Sequence, residues 1–278
     1  EQLGNMRPIE LNAPLDAGGQ QYITRQQKHL HQQFSNAREI AVAGAMRGSL
    51  GFVYSGEDLI PVLDGTGDVT VDFNVPATNK TQLKKSDGTT TIIGASWATA
   101  STKIVDHLVD IEQVSEFRTG RPIRHVWTDS KVWNYVLNNT QVQQLAGTAS
   151  TGYASWEMTE EAGPDGKPDR FFTAVLKGYP HLQWHIYNAG LNINGTYTPF
   201  FDGTQALFIP EPDADWVEMG VGSEFVVEYP GREAVEQQGF FPWGKTSDGP
   251  AAIQLLATDN FMPFLYVPKA IHFATCVF

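Results

Sequence analysis

The chain has 278 residues, 41% of them hydrophobic, enough apolar material for one large domain or two modest ones, which excludes a disordered chain. Nineteen Lys and Arg against 31 Asp and Glu give a net charge of -12, the wrong sign for a groove that neutralises nucleic-acid phosphates. The one cysteine, Cys276, rules out an intrachain disulfide framework and cysteine-ligated zinc or iron–sulfur clusters. No apolar run approaches the roughly 20 residues that cross a bilayer, and Glu1 to Leu15 lack the charged-then-apolar layout of a signal peptide, so a soluble intracellular product is expected.

In chain order, Glu1 to Gly19 carry Pro8, Pro14, Gly18 and Gly19 without any period and read as an extended arm, which needs a surface to lie on. From Tyr22 to Arg47, apolar residues at Ile23, Leu30, Phe34, Ala37, Ala41 and Ala45 keep a helical period, and Gly48 ends the predicted helix. Arg25, Lys28, Arg38 and Arg47 make this helix locally basic. Phe52 to Tyr54 read as a strand and Asp64-Gly65-Thr66-Gly67 as a turn; Val69, Val71, Phe73 and Val75 then alternate with Thr70, Asp72 and Asn74 until Pro76. That pattern predicts a long β-hairpin. A lone ribbon is marginal in water, so it must pack on its own domain or on another subunit. Thr78 to Ala100 read as a polar loop or hairpin tip.

A second helix is predicted from Thr102 to Thr119, with Ile104, Leu108, Ile111 and Val114 in one stripe, Val105 and Val109 widening it, and Gly120 and Pro122 ending it. Ile123 to Trp127 read as a strand, Asp129 as an N-cap, and Ser130 to Leu145 as a further helix with Trp133, Val136 and Leu137 inward. Beyond it, apolar strands at Leu182 to Tyr187 and Ala206 to Ile209 flank the hairpin signals Asn194-Gly195 and Asp202-Gly203. Alternation returns at Ile253 to Leu256 and Phe264 to Val277, with Pro263 and Pro268 marking edges or breaks. Helices early and strands late make an α+β protein.

Residues Gly239 to Thr246, Gly-Phe-Phe-Pro-Trp-Gly-Lys-Thr, satisfy the phosphate-loop pattern G-x-x-x-x-G-K-[ST]. The physics of such a loop needs a strand before it and a helix after it, so that amides and helix dipole converge on phosphate. Here Ser247-Asp248-Gly249-Pro250 follow and Pro242 removes an amide, so an apolar turn packing its aromatics is expected instead. His29 and His31 point to different helix faces, and His107, His125, His181, His185 and His272 are scattered, reading as packing or surface residues. The carboxylate pairs Glu57-Asp58, Glu160-Glu161 and Asp213 with Asp215 read as solvated loops, since glycoside hydrolysis needs two carboxyls facing across a cleft. No catalytic residue, metal ligand or cofactor is expected.

Charge is unevenly placed. Residues 200–248 hold ten acids against Arg232 and Lys245, while the first helix is basic, so head-to-tail attraction between copies is expected, weakened by salt. Aromatic content of 12% and seven tryptophans leave a carbohydrate-binding or glycoside-hydrolysing β-rich protein as an alternative, and a decoration or tube protein of a virion as another.

The ordered series of Arg38 to Gly48, Gly56-Glu57-Asp58, Val69-Thr70-Val71-Asp72-Phe73, Ser96-Trp97 and the helix from Thr102 to Thr119 resembles the lambda-type major capsid proteins of tailed phages, the major capsid protein E family. The segment from Val126 to Leu137, the turn near Tyr187 and Asn194-Gly195, and the closing Leu255 to Val277 follow the same pattern. The resemblance implies the Hong Kong 97-like fold: N-terminal arm and helix (1–49), extended hairpin loop (50–100), spine helix of a peripheral domain (101–120), axial domain (121–250) and C-terminal strands returning to the peripheral domain (251–278).

It further implies a non-enzymatic subunit that self-assembles into hexamers and pentamers of an icosahedral head around double-stranded DNA, assembled in the host cytoplasm and residing in the virion capsid. Expected partners are the chain itself, a decoration protein, a scaffold and a portal, with weak non-specific contact to packaged DNA and no membrane. Inter-subunit contacts are expected at Phe52, Tyr54, Glu57, Asp58, Val69, Val71 and Phe73 of the hairpin, and at Arg7, Arg25, Lys28, Arg38 and Arg47 of the arm and helix.

Overall fold

A computed structural model of the chain describes residues 17–55, 58–63, 66–145, 154–157, 171–176, 178–193, 196–211, 217–221, 223–226, 235–238, 240–246, 253–259 and 261–278. The chain divides into two compact units, Glu1–Glu39 with Met219–Met262, and Ile40–Glu218 with Pro263–Phe278.

The first helix, α1 (Ala17–Arg47), begins earlier than its periodicity predicts and takes Gly18 and Gly19 into the helix, although glycine costs about 1 kcal/mol there. The rest of the predicted arm, residues 1–16, lies outside the described residues. The first unit also holds two antiparallel hairpins, β13 (Ser223–Val226) with β14 (Val235–Gln238), and β15 (Phe240–Thr246) with β16 (Ile253–Asp259). Glu224 and Glu236 of the acidic segment share a unit with Arg25, Lys28 and Arg38.

The second unit opens with a three-stranded sheet rather than a two-stranded hairpin. Strand β1 (Ser49–Ser55) is central, flanked by β2 (Asp58–Val62) and β3 (Val69–Asp72), both antiparallel to it. The alternation through Val75 overstates β3, which stops at Asp72; Asn74 then takes a left-handed φ of 59°. Phe73 and Val75 continue inward and are buried.

Residues 77–100 correct the reading of a polar tip. A short 3-10 turn (Ala77–Asn79) leads to β4 (Lys80–Thr81), and Leu83, Ile92, Ile93 and Trp97 pack into the main core. Helix α2 (Ile104–Thr119) buries Ile104, Leu108, Ile111 and Val114 in that core and ends at Gly120, whose φ of 74° suits glycine and whose N–H reaches the Glu116 carbonyl at 2.8 Å. Val109 does not widen the stripe: it is 37% exposed, on the outer flank of the helix.

After β5 (Ile123–Thr128), Asp129 caps α3 (Ser130–Leu137) by accepting the Val132 N–H at 2.9 Å. The predicted single helix to Leu145 is two helices, because buried Asn139 interrupts it and α4 (Thr140–Leu145) restarts on its side chain. Strands β6 (Ala154–Glu157), β7 (Phe171–Leu176) and β8 (Tyr179–Tyr187) follow, then the hairpin β9 (Gly190–Ile193) and β10 (Thr196–Pro199), then β11 (Gln205–Pro210). Strands β12 (Val217–Val221), β17 (Phe261–Leu265) and β18 (His272–Thr275) complete the chain.

The second unit is organised by a seven-stranded mixed sheet in the order β4, β18, β11, β5, β8, β7, β6, in which β5 pairs parallel with β8 and β18 with β4. One face carries Val126, Leu182, Trp184, Ile186 and Phe208 against α2 and α3, each such side chain stabilising the fold by about 1.5–3 kcal/mol on burial. The other face carries Leu207, Ile209, Ile271 and Phe273, with Val75 from beyond β3 and Met46 from the end of α1 packed on them.

Candidate functional site

The three-stranded sheet is the most exposed apolar feature near the predicted contact residues. Tyr54 is 58% exposed, Val53 40% and Val69 41%, while Phe52 and Val71 are half-buried. Asp58 opens β2 opposite Ser55; its side chain and all of Glu57 lie outside the described residues. Phe73, expected among the contacts, is only 8% exposed and serves the interior of its own chain.

The sheet is locked by a close crossing. A Cβ on Gly51 would sit 1.9 Å from the Thr66 carbonyl oxygen, so only glycine lets the connection from β2 to β3 pass over β1. The Tyr54 N–H donates to the Asp68 carboxylate at 2.8 Å, and the Asp68 N–H to the Phe52 carbonyl at 2.8 Å, which fixes the same connection at its far end.

The basic residues divide in two. Arg25 and Lys28 are exposed on α1. Arg38 lies 5.7 Å over the Phe261 ring, and Arg47 is an intrachain clamp, donating to the Phe200 and Leu63 carbonyls while lying 5.4 Å over the Phe273 ring. Arg7 lies outside the described residues.

Sequence reasoning missed several features. Phe117, 73% exposed on the outer face of α2, sits in line with Val109; its off-stripe position in the sequence was the available signal. Arg118 donates to the Asn79 side chain and to the Lys84 and Lys85 carbonyls, tying the end of α2 to the loop before it. Asn79 in turn donates to the Lys269 and Ile271 carbonyls at 2.9 and 3.0 Å.

The histidines are not merely scattered. His181 contacts Glu112 at 2.6 Å and Tyr179 donates to the same carboxylate, linking β8 to α2. Burial and that carboxylate raise the Tyr179 phenol above its ordinary range. On the other sheet face, His125 and His185 meet ring to ring at 2.9 Å. Burial, with His125 beside it, holds His185 down to about 4, and burial does the same for His272.

The phosphate-loop match lies on a strand, not on the expected apolar turn. Every residue from Phe240 to Thr246 pairs with β16, and an extended, paired backbone cannot curl its amides around a phosphate. The carboxylate pairs named above each include residues outside those described. Among the described residues, no group of three His, Cys, Asp or Glu is placed to hold a metal, and no helix is long and apolar enough to cross a membrane.

Residues 3–276 match the family model described as phage major capsid protein E. No curated protein matches the chain. Among solved structures, the chain is similar to a prophage protein of E. coli CFT073 whose crystal structure is described as that of a capsid protein. The TM-score is 0.57 at 13% identity, over 98% of this chain and 74% of the other.

Proposed function

The chain belongs to the phage major capsid protein E family, and from that premise we propose that its copies close into the hexamers and pentamers of an icosahedral tailed-phage head enclosing double-stranded DNA. Membership carries a capsid-forming, structural role, and it decides against the carbohydrate-directed and the decoration or tube readings. The finer assignments rest on the resemblance: a Hong Kong 97-like fold with residues 50–100 in the extended loop, 101–120 in the spine helix and 121–250 in the axial domain.

The observation that carries the clamp role is the sheet of β1, β2 and β3. It exposes Tyr54 and Val69 on one face and Val53 on the other, in a protein whose family builds closed shells. Burying such a patch against a neighbour supplies the apolar area that subunit association needs. Exposed Arg25 and Lys28 then face polar or acidic surface of an adjoining copy. Decoration, scaffold and portal proteins are further partners, packaged DNA is touched weakly, and assembly takes place in the host cytoplasm.

Expression of the full chain followed by electron microscopy tests the reading. Closed shells from the native chain, and dispersed folded subunits from a Tyr54→Asp, Val69→Asp double variant, support it; normal shells from that variant sink the clamp.

A further inference from the structure

We propose that the facing rings of His125 and His185 form a proton-operated latch that holds strands β5 and β8 together with one proton or none on the pair and releases them when both rings are charged. The two side chains lie on the same face of a parallel strand pair, where His125 is opposite Gln183 and Trp127 opposite His185. Nδ1 of His125 and Nε2 of His185 are 2.9 Å apart, and the rings are tilted by only 31°.

Each outer nitrogen also has a neighbour. His125 Nε2 is 3.3 Å from the Glu211 carboxylate, and His185 Nδ1 is 3.5 Å from the Thr173 hydroxyl. Trp127 stacks on His185 with centroids 4.5 Å apart, fixing the ring that must donate or accept.

The proton count follows from imidazole chemistry, since a neutral ring has one N–H and one lone pair. With no added proton, His125 donates through Nε2 to Glu211 and accepts at Nδ1 from His185, which accepts the Thr173 hydroxyl at its own Nδ1. With one added proton, His125 donates through both nitrogens, and His185 changes tautomer, accepting at Nε2 and donating from Nδ1 to Thr173. Both states satisfy every nitrogen. A second proton places two N–H donors and two like charges face to face, and no tautomer relieves that.

Among the described residues, β7 presents Thr173, β8 presents Gln183 and Tyr187, β5 presents Trp127, and the segment after β11 presents Glu211. Arg47, from the end of α1, lies over the ring of Phe273 on β18, two strands from β5. The depressed titration of His185 agrees with resistance to the second proton.

Amide hydrogen exchange of the full chain, corrected for intrinsic pH dependence, tests the latch in native and His185→Gln forms between pH 7 and pH 4. The native chain is expected to show exchange in β5 and β8 rising by about tenfold or more toward pH 4, the factor that one pKa unit represents, with the rise absent in the variant. An equal rise in both forms, or none in the native chain, overturns the proposal. Ring-nitrogen NMR of the native chain gives an independent reading that needs no variant: His185 Nε2 must lose its hydrogen when the pair takes up its first proton. Simultaneous protonation of both rings near pH 6.5, the ordinary histidine value, overturns the proposal equally.

Discussion

The side chain of Asn139 donates to the Thr102 carbonyl at 2.7 Å, across the space between the start of α2 and the break that separates α3 from α4. The same nitrogen reaches the Ala100 carbonyl at 2.9 Å, and Oδ1 accepts the N–H groups of Gln141 and Val142 at 3.1 and 3.2 Å. One buried amide therefore caps a helix and pins a loop. Asn139→Ala removes the cap and leaves buried polar groups short of partners, and is expected to destabilise the fold by about 2–4 kcal/mol in urea denaturation followed by circular dichroism. A loss below about 0.5 kcal/mol, as for an ordinary surface substitution, contradicts the role.

Gly51→Ala puts a methyl group onto the Thr66 carbonyl and must displace the connection between β2 and β3. The main sheet is remote from this crossing in the chain. Shell yield, counted by electron microscopy, is expected to collapse, while the near-ultraviolet dichroism of the tryptophan core persists.

Phe117→Ser changes a side chain that is 73% exposed and should leave subunit stability within about 0.5 kcal/mol of native. If the outer face of α2 lies against a neighbouring copy, the same change lowers the recovery of shells in sedimentation. Unaltered recovery places Phe117 at the free surface instead.

Burial holds the His272 imidazole down to about 4. A histidine whose folded pKa is depressed takes its proton more readily in the unfolded chain, so stability present above about pH 6.5 is lost as pH falls toward 4 and levels off below it. His272→Asn removes this contribution, and its acid-induced loss of stability should be smaller than the native loss by on the order of 2–3 kcal/mol, measured by urea midpoints at pH 7 and pH 4. Parallel pH profiles for the two proteins would show that His272 is not the group responsible.

Much of the fold was legible because it depends on neighbours in the chain. The period of Ile104, Leu108, Ile111 and Val114, the stop at Gly120 and the cap at Asp129 are short-range signals, and each is present in the structure. The Asn194-Gly195 turn signal falls between β9 and β10, which pair from Ile193 opposite Thr196. Of the candidate contacts, Tyr54 and Val69 are exposed, whereas Phe73 is buried and Arg47 donates to a carbonyl of its own chain. Alternation alone does not distinguish a strand that projects from one whose end turns inward.

What the amino-acid order determined by itself is the set of local elements, since hydrophobic period, capping and turn chemistry act over a few residues and survive any later packing. The membership of the core was a tertiary decision. Leu83, Ile92, Ile93 and Trp97 sit in a stretch that looks polar, yet they are buried because residues far along the chain close over them, as when the Trp97 N–H donates to the Cys276 carbonyl at 2.8 Å. Likewise only pairing with β16 makes residues 240–246 a strand, and only the parallel alignment of β5 with β8 brings two histidines sixty positions apart into contact. Such contacts depend on distance in space, which the spacing of residues along a chain does not encode.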